Sequence, residues 1–365
     1  MTNAVTDRGA APRAGLAREG QRVRSGILPW RRAACISGAH APPWRMMAGI
    51  GPGAPPGRKA RALPVDIGYE SELRAAAMGW LSRRSAEAGG FRLFARPELL
   101  EGFTFAGRRV PLVATRQGIW KPRDLTAALS ILTVFTPAGQ KAPYADAVGA
   151  DGLARYAHRG QNAQHADNRA LRAAWEYRLP LMWFIGVAPG VYEAIRPVWL
   201  IDEEPAARAF VVAVDQSQRS AAVGDATNRA YVEQVTKQRV HQPVFRAQVI
   251  SAYGTCAICR LKYPSLLDAA HILRDGHPRG DPVVQNGLAL CKIHHAAFDQ
   301  NLIGVRPDRL VVEVRKDVRL QSDGPMLLHG LQEMQGIPLV VPASRRARPD
   351  PTRLEERWEE FRRAG

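Results

Sequence analysis

Two residue pairs near the C-terminal end of the sequence have the spacing of metal ligands. Cys256 and Cys259 are two residues apart, and Cys291 and His294 repeat this spacing with an imidazole in place of the second thiolate. Such a spacing lets one turn of chain offer two ligands to a tetrahedral ion, and zinc accepts thiolate and imidazole together. The pattern predicts a structural Zn²⁺ site that clamps the 31 residues between the pairs.

A second set of residues in this region could perform hydrolysis. A neutral imidazole near pH 7 suits a general base, and His271, on or just after a predicted strand, is our candidate. A helix beginning around Cys291 would place His295 and Asp299, at i and i+4, on one face, where both could bind a catalytic Mg²⁺ or another divalent cation. We expect Asn286 to tie the loop so that His271 points correctly.

Two details of this assignment depend on spacing. Since only one of the neighbouring His294 and His295 can join the zinc, the i+3 offset from Cys291 favours His294 for zinc and leaves His295 for the catalytic cation. This assignment is a hypothesis. Gly287, which follows Asn286, predicts either a close approach of two chain segments or a positive φ.

These residues resemble a known family. The segments 268–272, 286–291 and 294–299 read DAAHI, NGLALC and HHAAFD. They are similar to the HNH, or ββα-metal, nucleases, especially the HNH half of McrA-like restriction endonucleases. The resemblance implies a metal-dependent endonuclease acting on double-stranded DNA, with His271, Asn286 and His295 as the three signature residues.

The sequence departs from that pattern at one position. Many HNH enzymes have Asp or His, as a metal ligand, directly before the general base, whereas this chain has Ala270. Asp268 would lie on the same strand face as residue 270 and could replace the missing ligand, or it could be a surface or capping carboxylate. A catalytically inactive, zinc-stabilised DNA-binding protein is therefore the alternative function.

The charge of the chain favours a polyanionic partner. The 365 residues carry 51 Lys and Arg against 34 Asp and Glu, a formal net charge of +17. Phosphate neutralisation by such residues supplies most non-specific affinity for nucleic acid. No apolar run is long enough to cross a membrane and no secretory signal is evident, so we expect no membrane partner. Clustered thiols without an export signal indicate the cytoplasm. A homodimer is a further expectation, since HNH modules often cut the two strands as two copies.

Composition divides the chain into five predicted segments. Residues 1–63 are rich in Gly, Pro, Ala and Arg without a helical or strand period, and we interpret them as a disordered basic leader or a mis-assigned start. Residues 64–215 form a predicted DNA-recognition domain, 216–226 a linker, 227–345 the HNH domain and 346–365 a charged helix. The expected fold class is α+β, with a β-rich mixed N-terminal domain followed by the zinc-stapled ββα-metal domain.

Local patterns predict the elements of this fold. Helices are expected at 70–86, at 168–177 with Asp167 or Asn168 as its cap, and after Asp350 with Pro351 at the first position. Another helical stretch, broken near Pro243, should lead into the cysteines. Strands are predicted at 103–105, 110–113, 129–135, 181–185, 197–201, 210–214 and 310–314.

The N-terminal region also resembles a known group. Residues 111–122, 155–160 and 168–172 are similar to the N-terminal half of restriction endonucleases that end in this HNH module. The resemblance implies a DNA-reading domain, of a PUA-like or SRA-like β-rich fold, that senses modified bases. The alternative is that the aromatic residues belong to the core and the arginines to the surface. The candidate DNA-binding residues are Arg116, Trp120, Lys121, Tyr156 and Arg159, with Tyr144 and Trp183 as further candidates for an aromatic pocket.

Overall fold

The computed structural model describes most of the chain, and this part contains a mixed β-sheet and a small ββα unit. The described residues are 66–137, 149, 151–220 and 226–365. The predicted leader 1–63 and the candidate Tyr144 lie outside them. These described residues belong to one compact unit. Among the described residues, no helix is both long and apolar enough to cross a bilayer.

The secondary structure alternates short strands with helices along the whole described chain. The helices are α1 (Ile67–Glu87), α2 (Arg96–Glu101), α3 (Ala166–Glu176), α4 (Gln216–Ser220), α5 (Ala226–Thr236), α6 (Gln242–Tyr253), α7 (Lys292–Asp299), α8 (Lys316–Leu320), α9 (Pro325–Gly330) and α10 (Pro351–Ala364). The strands are β1 (Phe94–Ala95), β2 (Phe103–Phe105), β3 (Arg108–Val110), β4 (Ile119–Trp120), β5 (Ser130–Thr133), β6 (Ala154–Ala157), β7 (Leu181–Ala188), β8 (Val191–Glu204), β9 (Ala209–Ala213), β10 (Leu267–His271), β11 (Gly287–Cys291), β12 (Ile303–Arg306) and β13 (Val311–Val314). The mixed α+β class is thus confirmed.

The N-terminal half is built on a seven-stranded sheet with helices on both faces. Its order is β4-β5-β7-β8-β9-β6, with β1 on β8, and only the β5–β7 pair is parallel. Alternation along β7 divides its side chains, so that Leu181 and Trp183 join the core under α3 while Met182 and Phe184 join the core with α1. The two-faced burial explains why this strand is apolar without a break. The PUA-like or SRA-like assignment remains a prediction.

The helix boundaries follow the capping chemistry, with one correction. The Asp350 carboxylate accepts from the Arg353 amide and Pro351 begins α10, as predicted. Helix α3 was expected to be capped by Asp167 or Asn168, and this is wrong: it starts earlier, and the His165 Nδ1 accepts from the amide of Asp167. Imidazole nitrogen can accept a hydrogen bond as a carboxylate does, but histidine is not among the usual capping residues.

The segment predicted as a linker contains structure. Residues 216–220 form α4. The buried Gln218 side chain accepts a hydrogen bond from the Val214 amide and donates to the Val232 carbonyl and the Thr236 hydroxyl. These bonds connect the end of the sheet to α5. From there a π-helical turn at Lys237–His241 continues into α6, which has Pro243 in its first turn.

The C-terminal half has a core of its own around a ββα unit. Strands β10 and β11 are antiparallel, pairing Leu267 with Cys291 and His271 with Gly287, and α7 follows β11 directly. Helix α6 packs on this hairpin, and β12, β13 and α10 complete the core. The unit therefore brings the end of β10 and the first turns of α7 together, which positions the predicted site residues.

Candidate functional site

The four predicted zinc ligands converge. The ligand atoms of Cys256, Cys259, Cys291 and His294 all lie within 4.8 Å of one another. The His294 Nδ1 is 3.5 Å from the Cys256 sulfur and 3.2 Å from the Cys291 sulfur, and the Cys259 and Cys291 sulfurs are 3.9 Å apart. A tetrahedral Zn²⁺ with bonds near 2.3 Å requires sulfur separations of about 3.8 Å. The donor set and its spacing therefore fit zinc.

The surrounding chain holds this cluster in shape. Between the first two cysteines the chain makes a tight turn, in which the Arg260 amide donates to the Cys256 carbonyl at 3.0 Å. The His294 Nε2 lies 2.8 Å from the Gly330 carbonyl oxygen, so its N–H can donate there and leave Nδ1 for the metal. Hydrogen bonds from Cys259 and then Cys291 lower the pKa of Cys256, which favours the thiolate that zinc binds.

His271 ends strand β10, as predicted, against an aromatic ring. Its imidazole stacks on the side chain of Phe245 from α6, with ring centroids 4.3 Å apart. Its Nε2 is buried and has no hydrogen-bond partner among the described residues. Burial lowers the pKa of His271, against the opposing charges of Asp275 and Asp299. The ring is therefore neutral near pH 7, the state that a proton acceptor needs.

Asn286 fastens the loop that follows His271. Its side chain is fully buried, and its Oδ1 accepts from the Leu273 amide at 2.9 Å. Its Nδ2 donates to the carbonyls of Leu273 at 3.0 Å and Asp281 at 3.1 Å. These bonds have the geometry expected of a positioning role for Asn286. Gly287 has φ −128°, so the positive-φ alternative is wrong, whereas a close approach to Val249 exists.

The predicted ligands of the catalytic cation meet at the ring of His295. Its Nε2 is 3.3 Å from an Asp299 carboxylate oxygen, one helical turn along α7, and its Nδ1 is 3.4 Å from Asp268. First the hydrogen bond to Asp299, and then the charges of both carboxylates, raise the pKa of His295. The two carboxylates face opposite nitrogens of the His295 ring. A cation bound to one of these nitrogens can therefore be coordinated by only one of the two carboxylates.

Asp268 has cationic neighbours of its own. Its carboxylate accepts from the Lys292 ammonium at 2.6 and 2.7 Å and lies 3.2 Å from the Arg246 Nε. Ala270, at the position of the missing ligand, is completely buried in the core. Within the described part of the chain, the cysteine–histidine set is the sole group of three or more ligating side chains that converge tightly. Asp268 is thus poorly placed as a replacement ligand.

Three of the five DNA-binding candidates line one small cavity. Arg116, Tyr156 and Arg159 surround a volume of about 130 Å³ beside strand β6. The Tyr156 hydroxyl donates to the Gly118 carbonyl at 3.0 Å, and the Arg159 guanidinium is paired with Asp167. The sequence candidates therefore come together, although Tyr156 and Arg159 already have partners within the protein.

The other N-terminal candidates make internal contacts. The Trp120 indole donates to the Pro111 carbonyl at 2.8 Å, and the Lys121 ammonium donates to the Leu125 carbonyl at 2.7 Å. Trp183 is buried, donates to Thr133 at 2.9 Å, and lines a cavity of about 450 Å³ between the sheet and α6. These bonds are those expected of residues that stabilise the domain.

Sequence reasoning missed three residues of the site. Phe245 and Arg246 lie on α6, more than 20 residues before His271, and Lys292 lies among the zinc ligands. The helical stretch expected before the cysteines includes Phe245, but nothing in the sequence indicates that its ring stacks on His271. No sequence motif indicates a role for Arg246 or Lys292, because their contact with Asp268 depends on how α6 and α7 pack against β10.

A strand hairpin followed by a helix, with a Cys₃His cluster at its base and a histidine at the end of its first strand, defines a ββα-metal module. The comparison with known families agrees with this class. Residues 256–306 match the family of HNH endonucleases. This segment contains both cysteine pairs together with His271, Asn286, His295 and Asp299. The chain therefore contains a domain of the HNH endonuclease family.

Comparisons over the whole chain add little. Among solved structures, one similar protein is a modification-dependent TagI restriction endonuclease, with 16% sequence identity over 68% of this chain and 86% of that chain. The TM-score of 0.23 is too low to establish a common fold. No curated protein sequence matches the chain.

Proposed function

We propose that this protein is a metal-dependent HNH endonuclease that hydrolyses phosphodiester bonds of DNA, in the manner of a restriction enzyme. The observation that carries the proposal is the place of His271 at the end of β10: it is partly buried and neutral, and it lies near enough to His295 and Asp299 of α7 for their charges to act on its pKa. The match of residues 256–306 to the HNH endonucleases supports it.

His271 acts as the general base in this proposal. A phosphodiester is cut when water attacks phosphorus while charge builds up on the leaving oxygen. His271 would remove a proton from that water, which typically contributes 10²–10⁴-fold in rate. Its unpartnered Nε2 supports this role, since a buried nitrogen without a partner costs about 1–3 kcal/mol and a bound water or substrate would relieve the cost.

His295 and Asp299 would hold the divalent cation. Their facing atoms are 3.3 Å apart, close to the separation of about 3 Å between neighbouring ligands of an octahedral Mg²⁺. The cation would supply charge stabilisation for the leaving oxygen. Asp268 lies on the other side of the ring, at Nδ1, and we assign it to orienting His295 while Lys292 and Arg246 fix the carboxylate. The Cys₃His cluster would bind a structural Zn²⁺ and take no part in the hydrolysis.

The N-terminal region is proposed to read DNA, with modified bases as its target. The convergence of Arg116, Tyr156 and Arg159 on one cavity supports a binding role for this surface. The buried Trp183 beside the larger cavity supports an aromatic pocket. The alternative of a purely structural role for these residues is favoured by the internal hydrogen bonds of Trp120 and Tyr156.

A specific observation favours the second candidate function, an inactive zinc-stabilised DNA-binding protein. Ala270 replaces a ligand that many HNH enzymes have, and Asp268 is held by Lys292 and Arg246. A cation bound by His295 and Asp299 alone would depend on water and substrate for its other ligands. Mg²⁺ tolerates such a shell, so we place the active enzyme first.

Cleavage of supercoiled plasmid with added Mg²⁺, Mn²⁺ or Ni²⁺ tests the proposal. We expect nicking that His271→Ala reduces by 10²-fold or more. His329→Ala is the matched control, because this histidine of α9 is exposed and its ion-pair partner among the described residues is Glu333, in the turn after the helix. DNA binding without nicking, for the wild type with every cation, would establish the inactive alternative. Equal cutting of unmodified and methylated plasmids would remove the modification-reading role alone.

A further inference from the structure

A cavity on the flank of the N-terminal sheet has two tryptophans and two arginines in its wall. Its volume is about 420 Å³, and it lies where the end of α3, strand β8 and helix α4 meet. Trp175 and Arg178 come from the end of α3, Trp199 from β8 and Arg219 from α4. This cavity is separate from the Cys₃His cluster and from the ββα unit, and no residue of it was among the candidate site residues.

Among the described residues, neither arginine of the cavity has an acidic partner. Arg219 lies over the ring of Trp199, with its Cζ 4.8 Å from the ring centroid. Burial and then the like charge of Arg178 lower the pKa of Arg219. Within the described part of the chain, neither guanidinium makes an ion pair or a side-chain hydrogen bond. Arg178 is exposed and Arg219 is half-buried, so two like charges face each other in the wall of the cavity, and a bound anion would relieve their repulsion.

Two arginines elsewhere on this sheet bind acidic side chains. Arg155 pairs with Asp151 at 2.8 Å and Glu204 at 2.7 Å, and Arg172 forms a two-pronged pair with Glu203. The cavity differs from these sites because none of the residues that line it carries a carboxylate that could neutralise Arg178 or Arg219.

The backbone at Arg178 gives a second, independent indication. Its φ is +53°, in the left-handed region, directly after the C-terminal cap of α3. Glycine or asparagine usually occupies such a position, because a Cβ is strained there. Arg208 and Arg260 have a similar positive φ, and of these three arginines Arg178 is the one whose side chain lines this cavity, where it has a use that can offset the backbone cost.

We propose that this cavity binds a backbone phosphate of a DNA strand, with Arg178 and Arg219 as the two ligands. The inference rests on the proposed function, which supplies DNA as the substrate. Planar guanidiniums match the oxygens of a phosphate, and the ring of Trp199 holds Arg219 in place. The half-buried Trp175 offers a face on which a neighbouring base could stack. A free nucleotide presents the same chemistry and is distinguished below.

Binding of a fluorescent DNA oligonucleotide, measured without added divalent cation over a range of salt concentrations, tests the proposal. The variants are Arg178→Gly and Arg219→Gln. We expect each to weaken binding and to reduce the slope of log affinity against log salt by about 0.9, the value for one lost phosphate contact. Arg319→Gln is the matched control, since it removes the same charge from an exposed arginine on α8 that does not line the cavity.

The outcomes separate the proposal from its alternatives. Arg178→Gly relieves the backbone strain, so we expect it to unfold no more easily than the wild type while binding DNA more weakly. If both variants bind DNA with the affinity and slope of Arg319→Gln, the proposal is overturned. If a mononucleotide, or inorganic phosphate, binds the wild type and these variants lose only that binding, a free nucleotide is the ligand and the DNA assignment is wrong. If the wild type binds DNA and both arginine variants weaken this binding, but the wild type does not nick plasmid, then the nuclease function is rejected and the phosphate site stands.

Discussion

Gly287→Ala tests the packing that positions His271, the proposed general base. A Cβ at this residue would lie 2.5 Å from the Val249 Cγ2 and 3.0 Å from the Phe245 ring. Carbon atoms prefer about 3.5–4.0 Å, so the shortfall is about 1 Å or more at Val249. Such overpacking costs about 1–3 kcal/mol. Because φ is −128°, alanine adopts this backbone freely and gains about 0.4–1 kcal/mol from reduced entropy of the unfolded chain.

The clash exceeds this entropic gain, so we expect the free energy of unfolding to fall by about 1–2 kcal/mol in urea denaturation. Nicking should fall more than this loss explains at temperatures where the variant is folded, because Phe245 would be pushed against His271. Gly79→Ala is the control: it lies within α1 near only the flexible end of Arg83 and should stabilise the protein by about 0.5–1 kcal/mol.

A double variant tests whether the contact with Val249 causes the destabilisation. Val249→Ala removes the methyl group that the new Cβ would meet, at the cost of a cavity. The destabilisation of the double variant should therefore be smaller than the sum of the single effects. If Gly287→Ala unfolds and cleaves as the wild type does, or if the two changes are additive, the close approach at this position has no energetic weight and the argument fails.

Three further predictions concern the site itself. His294→Ala should lose bound zinc and fold poorly, since apparent Zn²⁺ binding free energies of about 10–16 kcal/mol equal or exceed the stability of a domain. His295→Ala should keep its zinc and lose nicking. Zinc analysis of both purified variants checks this, and zinc lost only from His295→Ala would reverse the assignment. Asp268→Asn should reduce divalent-cation affinity or nicking by about 10–100-fold with zinc content unchanged, as expected for a group that orients a ligand, and titration calorimetry with Mn²⁺ that shows no change would exclude this role. Because burial lowers the pKa of His271, the neutral base persists below the ordinary value of 6.5, so single-turnover nicking should be maintained to a pH below 6.5 and lost as pH falls further; an acid limb centred above 6.5 would contradict the structure.

Much of this site was predictable because its ligands are close in sequence. The two-residue spacings of the cysteine pairs fix local geometry, so Cys256, Cys259, Cys291 and His294 could be assigned without knowing the fold. The i+3 and i+4 offsets along α7 similarly separate zinc-facing His294 from His295. Local patterns also located strands β2, β5, β7, β8, β9 and β13 and the start of α10, whereas the strand expected at 110–113 ends at Val110.

The environment of the site was not predictable, since it arises from contacts between distant segments. Asp268 has the residue type of a metal ligand, and only the packing of α6 and α7 on β10 shows that Arg246 and Lys292 engage it. The same holds for Arg74, which is completely buried in α1 and donates to the carbonyls of Ala128 and Pro180. A helical pattern predicts that such a polar residue faces water.

The nuclease unit requires more of the chain than the segment that matches the HNH endonucleases. Upstream of residue 256, Phe245 covers His271 and Arg246 holds Asp268, so α6 contributes to both the pKa of the base and the charge beside His295.

Downstream of residue 306, the Gly330 carbonyl lies 2.8 Å from the His294 Nε2, and the Arg357 guanidinium of α10 donates to the Phe298 carbonyl at the end of α7. The first contact selects the histidine nitrogen that is left for zinc, and the second holds the helix that carries Asp299. Phe245 stacks on His271 and also lines the cavity that Trp183 lines. Helix α6 therefore links the packing beside the N-terminal sheet to the packing around His271, the proposed general base.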